Sequence, residues 1–155
     1  MSVTVITPDK AETIWVVRDR LRLHGALGGT GVHLLEVDIP PGSGTPPHRH
    51  QSPEMFKVNA GTVTFNIFDQ QPPRCIAAEP GTIVRIESWV PHNYANASDG
   101  PAAMEVLLEE SMVNFFRDAG SAEQPAGGPP TNAEIGAVMA ACTRHGIEVM
   151  AGAPA

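Results

Sequence analysis

Cysteine is scarce in this chain: two in 155 residues, Cys75 and Cys142, far apart in sequence. So small a set excludes a scaffold stapled by disulfides and reads as two reduced thiols, neither placed beside the histidine-rich stretch as a thiolate ligand would be. Basic residues are also few. Ten Lys and Arg stand against seventeen Asp and Glu, for a net charge of −7, with no basic run. That excludes the electrostatic footprint of a nucleic-acid binder or of attachment to an anionic membrane surface. No apolar stretch approaches the ~20 residues of a transmembrane helix. The opening MSVTVITPDKAETIW has neither the basic start nor the apolar segment of an export leader. The expectation is a cytoplasmic protein with no nucleic-acid and no membrane partner. A helix-turn-helix with a basic face has no room here, which removes a transcriptional regulator.

Glycine and proline, by contrast, are abundant at 15 each. They favour many turns and short strands over long helices. Strands are expected at 3–6, 13–17, 21–24, 32–39, 54–59, 62–68, 74–77, 82–86, 92–96 and 102–108. Strict alternation in Thr62-Val63-Thr64-Phe65-Asn66-Ile67 is what a half-buried strand requires. Breaks fall at Gly28-Gly29, Pro40-Pro41-Gly42, Asn59-Ala60-Gly61, Gln71-Pro72-Pro73, Pro80-Gly81 and Asp99-Gly100-Pro101. Short strands with such punctuation indicate an all-β sandwich or barrel, and the length suits one domain.

Past residue 110 the character changes. A short helix is expected over 111–119, with Ser111 as its cap and Gly120 just past its end. A Gly/Pro-rich linker follows over 120–130. Thr131 and Glu134 then form a capping box ahead of Ile135, Val138, Met139 and Cys142, an apolar helical stripe, with Gly146 suited to its end. The chain divides into a barrel over 1–110 and a helical extension over 111–155, which packs on the barrel or on a partner subunit, or serves as a separate binding module.

His48, His50, Glu54 and, much later, His92 carry the chemistry. His-x-His on a strand is a compact chelate because both rings emerge on one side, and Glu54 shares their parity. One extended segment can therefore aim three ligands at one point. Three imidazoles and a carboxylate suit one divalent transition metal, Fe, Mn, Ni, Co or Zn, that stays open to a small-molecule substrate. Phe56, Trp89 and Tyr94 are candidates for the pocket wall, whereas Phe65 and Ile67 are read as barrel core. His24, His33 and His145 are read as structural or exposed, and Asn96 as a turn-tying residue.

Gly42-x5-His48-x-His50-x3-Glu54-x6-Gly61 and Gly81-x10-His92-x3-Asn96 resemble the two motifs of the cupins. In the second motif Glu87 stands where that family usually has Pro, and Trp89 where it usually has Gly. Beyond the motifs, Ile14-Trp15-Val16-Val17-Arg18-Asp19-Arg20, Asn114-Phe115-Phe116-Arg117-Asp118 and Arg144-His145-Gly146-Ile147-Glu148 are similar to small single-domain bacterial cupins of the quercetinase-like group. The resemblance implies a double-stranded antiparallel β-barrel (a jelly roll), a homodimer, a metal at its centre and O2-dependent cleavage of a flavonol-like molecule. In that reading His48, His50, His92 and Glu54 hold the metal, and Glu54 can also act as the catalytic base toward a substrate hydroxyl. Two other classes share the ligand set. One is an isomerase, lyase or hydrolase using the metal only as Lewis acid on a small sugar or acid. The other is a binding cupin without turnover.

Overall fold

A computed structural model describes residues 2–150; position 1 and the end of the expected extension, 151–155, lie outside the described residues. Eleven strands and two helices follow in order: β1 Glu12–Val16, β2 Asp19–Ala26, β3 Val32–Ile39, β4 His48–Arg49, β5 Glu54–Ala60, β6 Val63–Ile67, β7 Arg74–Ala78, β8 Ile83–Ile86, β9 His92–Ala95, β10 Ala102–Glu109, α1 Glu110–Ala119, α2 Asn132–Arg144 and β11 Glu148–Val149. They form two antiparallel sheets, β1-β2-β3-β10-β5-β8 and β11-β4-β9-β6-β7. This is the all-β architecture that the turns indicate, in the form of the double-stranded β-barrel that the resemblance implies.

Period-two burial builds the interior. In β10, Ala102, Met104, Val106 and Leu108 face inward while Ala103, Glu105, Leu107 and Glu109 alternate outward. In β6, Val63, Phe65 and Ile67 are buried, as read from sequence. Phe56 of the first sheet meets Phe65 of the second with ring centroids 5.0 Å apart, a tilted aromatic contact that joins the two layers. Phe65 and Ile67 lie outside the lining of the central cavity, consistent with their core role.

Three local expectations are corrected. Residues 3–6 form no strand; Val3 and Val5 are 89% and 81% exposed, so neither edge pairing nor burial rewards an extended backbone there. The first helix starts at Glu110, with Glu109 at its cap position and no side-chain cap, because β10 runs directly into it. And 48–54 is not one strand: β4 ends at Arg49, the chain bends at Gln51–Ser52, and β5 begins at Glu54 in the other sheet. Pro53, which has no N–H to give a ladder, sits at that crossing.

The extension lies on the barrel. Met112, Phe115 and Phe116 of α1 and Val138 and Cys142 of α2 close the cavity, and β11 adds a strand beside β4. Thr131 Oγ1 accepts the Glu134 N–H, and Gly146, at φ 70°, ends α2 while the Ile147 N–H returns to the Cys142 carbonyl. Of the expected stripe only Cys142 is buried; Val138 is half-buried, and Ile135 and Met139 are exposed. Cys75 and Cys142 are both free thiols, and no described helix is long and apolar enough to cross a membrane.

Two motif glycines have different reasons for being glycine. Both Gly42 and Gly61 have positive φ, but a Cβ on Gly61 would lie 2.4 Å from the Pro101 carbonyl oxygen, whereas one on Gly42 meets nothing. Gly42→Ala is therefore expected to lose about 1 kcal/mol, the ordinary left-handed penalty, and Gly61→Ala clearly more. Urea unfolding of the two variants checks this; equal losses would contradict it.

Candidate metal centre

His48 and His92 are direct register partners across β4 and β9, with ring centroids 4.6 Å apart. His50 follows β4 on the crossing segment, and Glu54 opens β5 in the opposite sheet. The four groups therefore come from both layers of the barrel, not from one strand. The turn that carries the second motif is bonded to the crossing: the Trp89 N–H donates to the His50 carbonyl at 2.8 Å, and Ser88 Oγ to the Gln51 carbonyl at 2.5 Å. Trp89 has φ 65°, the left-handed conformation at the position where the similar motif usually has Gly.

Each imidazole is oriented in the same way. His48 Nδ1 lies 2.8 Å from the Pro46 carbonyl, His50 Nδ1 2.8 Å from that of Ser52, and His92 Nδ1 2.8 Å from that of Val90. A carbonyl oxygen only accepts, so each Nδ1 must carry the proton, and in the neutral ring each Nε2 presents a lone pair. Ligand nitrogens of the three rings all lie within 4.8 Å of one another. Glu54 stands beside them, Oε2 3.2 Å from His92 Nε2 and Oε1 3.5 Å from His50 Nε2. The longer of these is an ion-pair distance rather than a hydrogen bond, and His50 Nε2 is a buried polar atom without a hydrogen-bond partner.

Three inward lone pairs, on the half-buried His48 and the buried His50 and His92, and the buried Glu54 carboxylate repel one another unless a cation joins them. A proton is one such cation. Burial opposes charge on His50, but Glu54 outweighs it and raises its pKa; burial likewise works against Glu54 ionising, yet His50 and His92 hold it well below the usual carboxylate range. His48, desolvated and beside His92, drops to about 4, so that ring stays neutral. A divalent metal is the other cation, and the borderline nitrogen and oxygen donors fit it. Carbonyl bonds from the distal ring nitrogens are the usual outer support of metal-bound histidines.

The centre opens on a cavity of about 130 Å³. Phe56 and Tyr94 line it, together with apolar side chains such as Leu35, Val37 and Met104; Trp89 does not, and is 44% exposed on the outer turn. Asn96 is fully buried and ties its turn, donating to the Ile39 and Gly100 carbonyls. His145 and Arg144 pair with Asp118 at 2.8 Å, which joins α2 to α1, while His24 is half-buried, His33 is buried, and neither belongs to the histidine cluster.

Sequence reasoning missed Asp19. It is 4% exposed and lines the cavity, accepting Ser43 Oγ and Tyr94 Oη at 2.6 Å each. The available signal was parity, since Asp19 shares the inward face of β2 with Leu21 and Leu23.

Two antiparallel sheets in this order form a double-stranded β-barrel, and one wall carries the three-histidine cluster. Residues 35–108 match the Cupin_2 family model, a cupin domain. The polyketide cyclase RemF from Streptomyces resistomycificus shares 17% identity over 70% of this chain and 80% of its own, with a TM-score of 0.58. Fe(II) HppE shares 18% over 68% of this chain and 60% of its own, at 0.56. Rru_A2000 from Rhodospirillum rubrum, a cupin-2 domain, shares 15% over 90% and 88%, at 0.54. At such identities the likeness is one of fold. No curated protein matches the chain by sequence. The domain match and the shared fold together support the cupin superfamily.

Burial lifts the Asp19 pKa from 3.8 to about 6, against the two hydroxyls that favour its charge. The folded state therefore holds this proton more tightly than the unfolded chain, and its stabilising effect is lost as pH rises from about 4 to 6. Asp19→Asn mimics the neutral acid. It is expected to match the parent at pH 4 and to exceed it by about 2–3 kcal/mol at pH 7.5, read from urea unfolding at both pH values. A variant no more stable at pH 7.5 would contradict the assignment.

Proposed function

We propose that this protein is a metal-dependent enzyme of the dioxygenase type, acting with O2 on a small aromatic or enolic molecule. The observation that carries the reading is the set of three Nδ1-anchored imidazoles whose Nε2 atoms converge beside Glu54 at the wall of an apolar cavity. His48, His50 and His92 would hold one divalent ion, with Glu54 as a fourth donor or free beside it. When bound, the ion would act as a Lewis acid on adjacent substrate oxygens and lower their pKa.

The residues of the chain supply the rest. Glu54, which borders the cavity, would accept the proton of a substrate hydroxyl. Phe56 and Tyr94 would hold the ring of the substrate, and the apolar side chains of α1 and α2 would exclude bulk water. Size narrows the substrate: a dry apolar cavity of about 150 Å³ takes benzene, so a space of about 130 Å³ suits one ring and its substituents better than a three-ring flavonol. Homodimer assembly, which the similarity to quercetinase-like cupins implies, and a cytoplasmic setting, which two free thiols suit, complete the proposal.

Protein purified without tag or chelator is expected to contain one transition metal per chain. His48→Ala and His92→Ala should each weaken its retention by at least ~100-fold, while Glu54→Gln should keep most of it and lower turnover by ~100-fold or more. Elemental analysis and O2 uptake with catechols, enediols and flavonols test this. Metal at far less than one per chain would contradict the centre. Turnover of a sugar or acid with Zn and no O2 would replace the dioxygenase with the Lewis-acid reading.

A further inference from the structure

Among the described residues, apart from Glu54 in the histidine cluster, Asp19 is the one acidic residue lining the cavity. It accepts one hydrogen bond on each oxygen, from Ser43 on Oδ1 and from Tyr94 on Oδ2, both at 2.6 Å. An ionised carboxylate offers about four acceptor positions, so two remain without a donor at the edge of an apolar space. Neither Ser43 nor Tyr94 brings positive charge, and a buried carboxylate without a cation or a full set of donors is costly. The upward shift of its pKa agrees with that shortage.

The backbone beside it is strained. Val17, a β-branched residue, has φ 57° in the two-residue loop between β1 and β2, a position glycine would occupy without penalty. The same residue lines the cavity. Arg18 pins this loop from outside, donating to the Gly128 and Pro129 carbonyls and pairing with Glu134 at 2.6 Å. Strain retained where a loop tip could otherwise relax is a mark of a functional wall. Few, well-placed polar groups in an apolar pocket are what orients a small ligand.

We propose that Asp19, positioned by Ser43 and Tyr94, is a specificity-determining residue that accepts a hydrogen bond from a hydroxyl of a single-ring ligand, distinct from the polar edge that meets the histidine centre. The proposal deepens the function proposed above and rests on it for the role of that second edge. A hydroxyl fits better than an ammonium group, whose own desolvation against Val16, Val17 and Leu21 would add to the cost of the site.

The test uses metal-stripped full-length protein and 19F NMR titration with 4-fluorophenol, fluorobenzene and 4-fluoroanisole. The parent protein should bind 4-fluorophenol about tenfold more tightly than fluorobenzene, and 4-fluoroanisole, which cannot donate, no better than fluorobenzene. In Asp19→Asn the phenol preference should fall to about threefold or less, with fluorobenzene affinity unchanged. Equal binding of the three probes by the parent, binding of none of them, or a full preference surviving in Asp19→Asn would overturn the proposal. Should that variant fail to fold, Asp19→Ser takes its place, with the same loss of phenol preference expected and a full preference again overturning the proposal. Cobalt(II) stoichiometry on the same samples reports the metal centre separately, so either idea can fail while the other stands.

Discussion

Three backbone carbonyls, those of Pro46, Ser52 and Val90, fix the chemistry of this protein by accepting the Nδ1 protons of His48, His50 and His92. Free imidazoles could rotate or exchange tautomers; these cannot do so without giving up a buried or part-buried hydrogen bond. The result is three inward lone pairs at the wall of an apolar cavity, next to a carboxylate. Such a cluster is unfavourable alone and favourable around a cation, so the fold stores a preference for a positive charge at one point.

The barrel can hold that arrangement because the site spans both of its sheets. His48 and His92 face each other across one register pair, and Glu54 approaches from the opposite layer. The crossing between layers is itself tied down: Ser52 Oγ accepts the Glu109 N–H, and the Trp89 turn is bonded to His50. Rigid elements thus position the donors, while α1, α2 and β11 close the cavity over them. The same closure leaves Asp19 buried at a second polar point of the wall, so the cavity reads as a small apolar chamber with two polar poles.

Much of this was legible in the sequence because it is local. Turn residues and period-two alternation located nine of the strands, and fixed spacing located His48, His50, Glu54 and His92. What was not legible depends on the chain meeting itself. Parity placed His48, His50 and Glu54 on one strand, and the switch of sheets at Pro53 overrode it. Trp89 looked like a pocket residue from its nearness to His92, but it does not line the cavity and is largely exposed. Asp19 belongs to no motif. Its meeting with Tyr94 follows from two sheets folding together, and only the odd charge on an apolar strand face hinted at it.

The convergence of three Nε2 atoms on one cation is the central claim, and anomalous diffraction at the metal absorption edge tests it most directly. Crystals of the metal-loaded protein should show one anomalous peak per chain, bonded to Nε2 of His48, His50 and His92, with each Nδ1 still on its carbonyl. A peak elsewhere, coordination through Nδ1, or no peak in protein shown to have been exposed to the metal would contradict it.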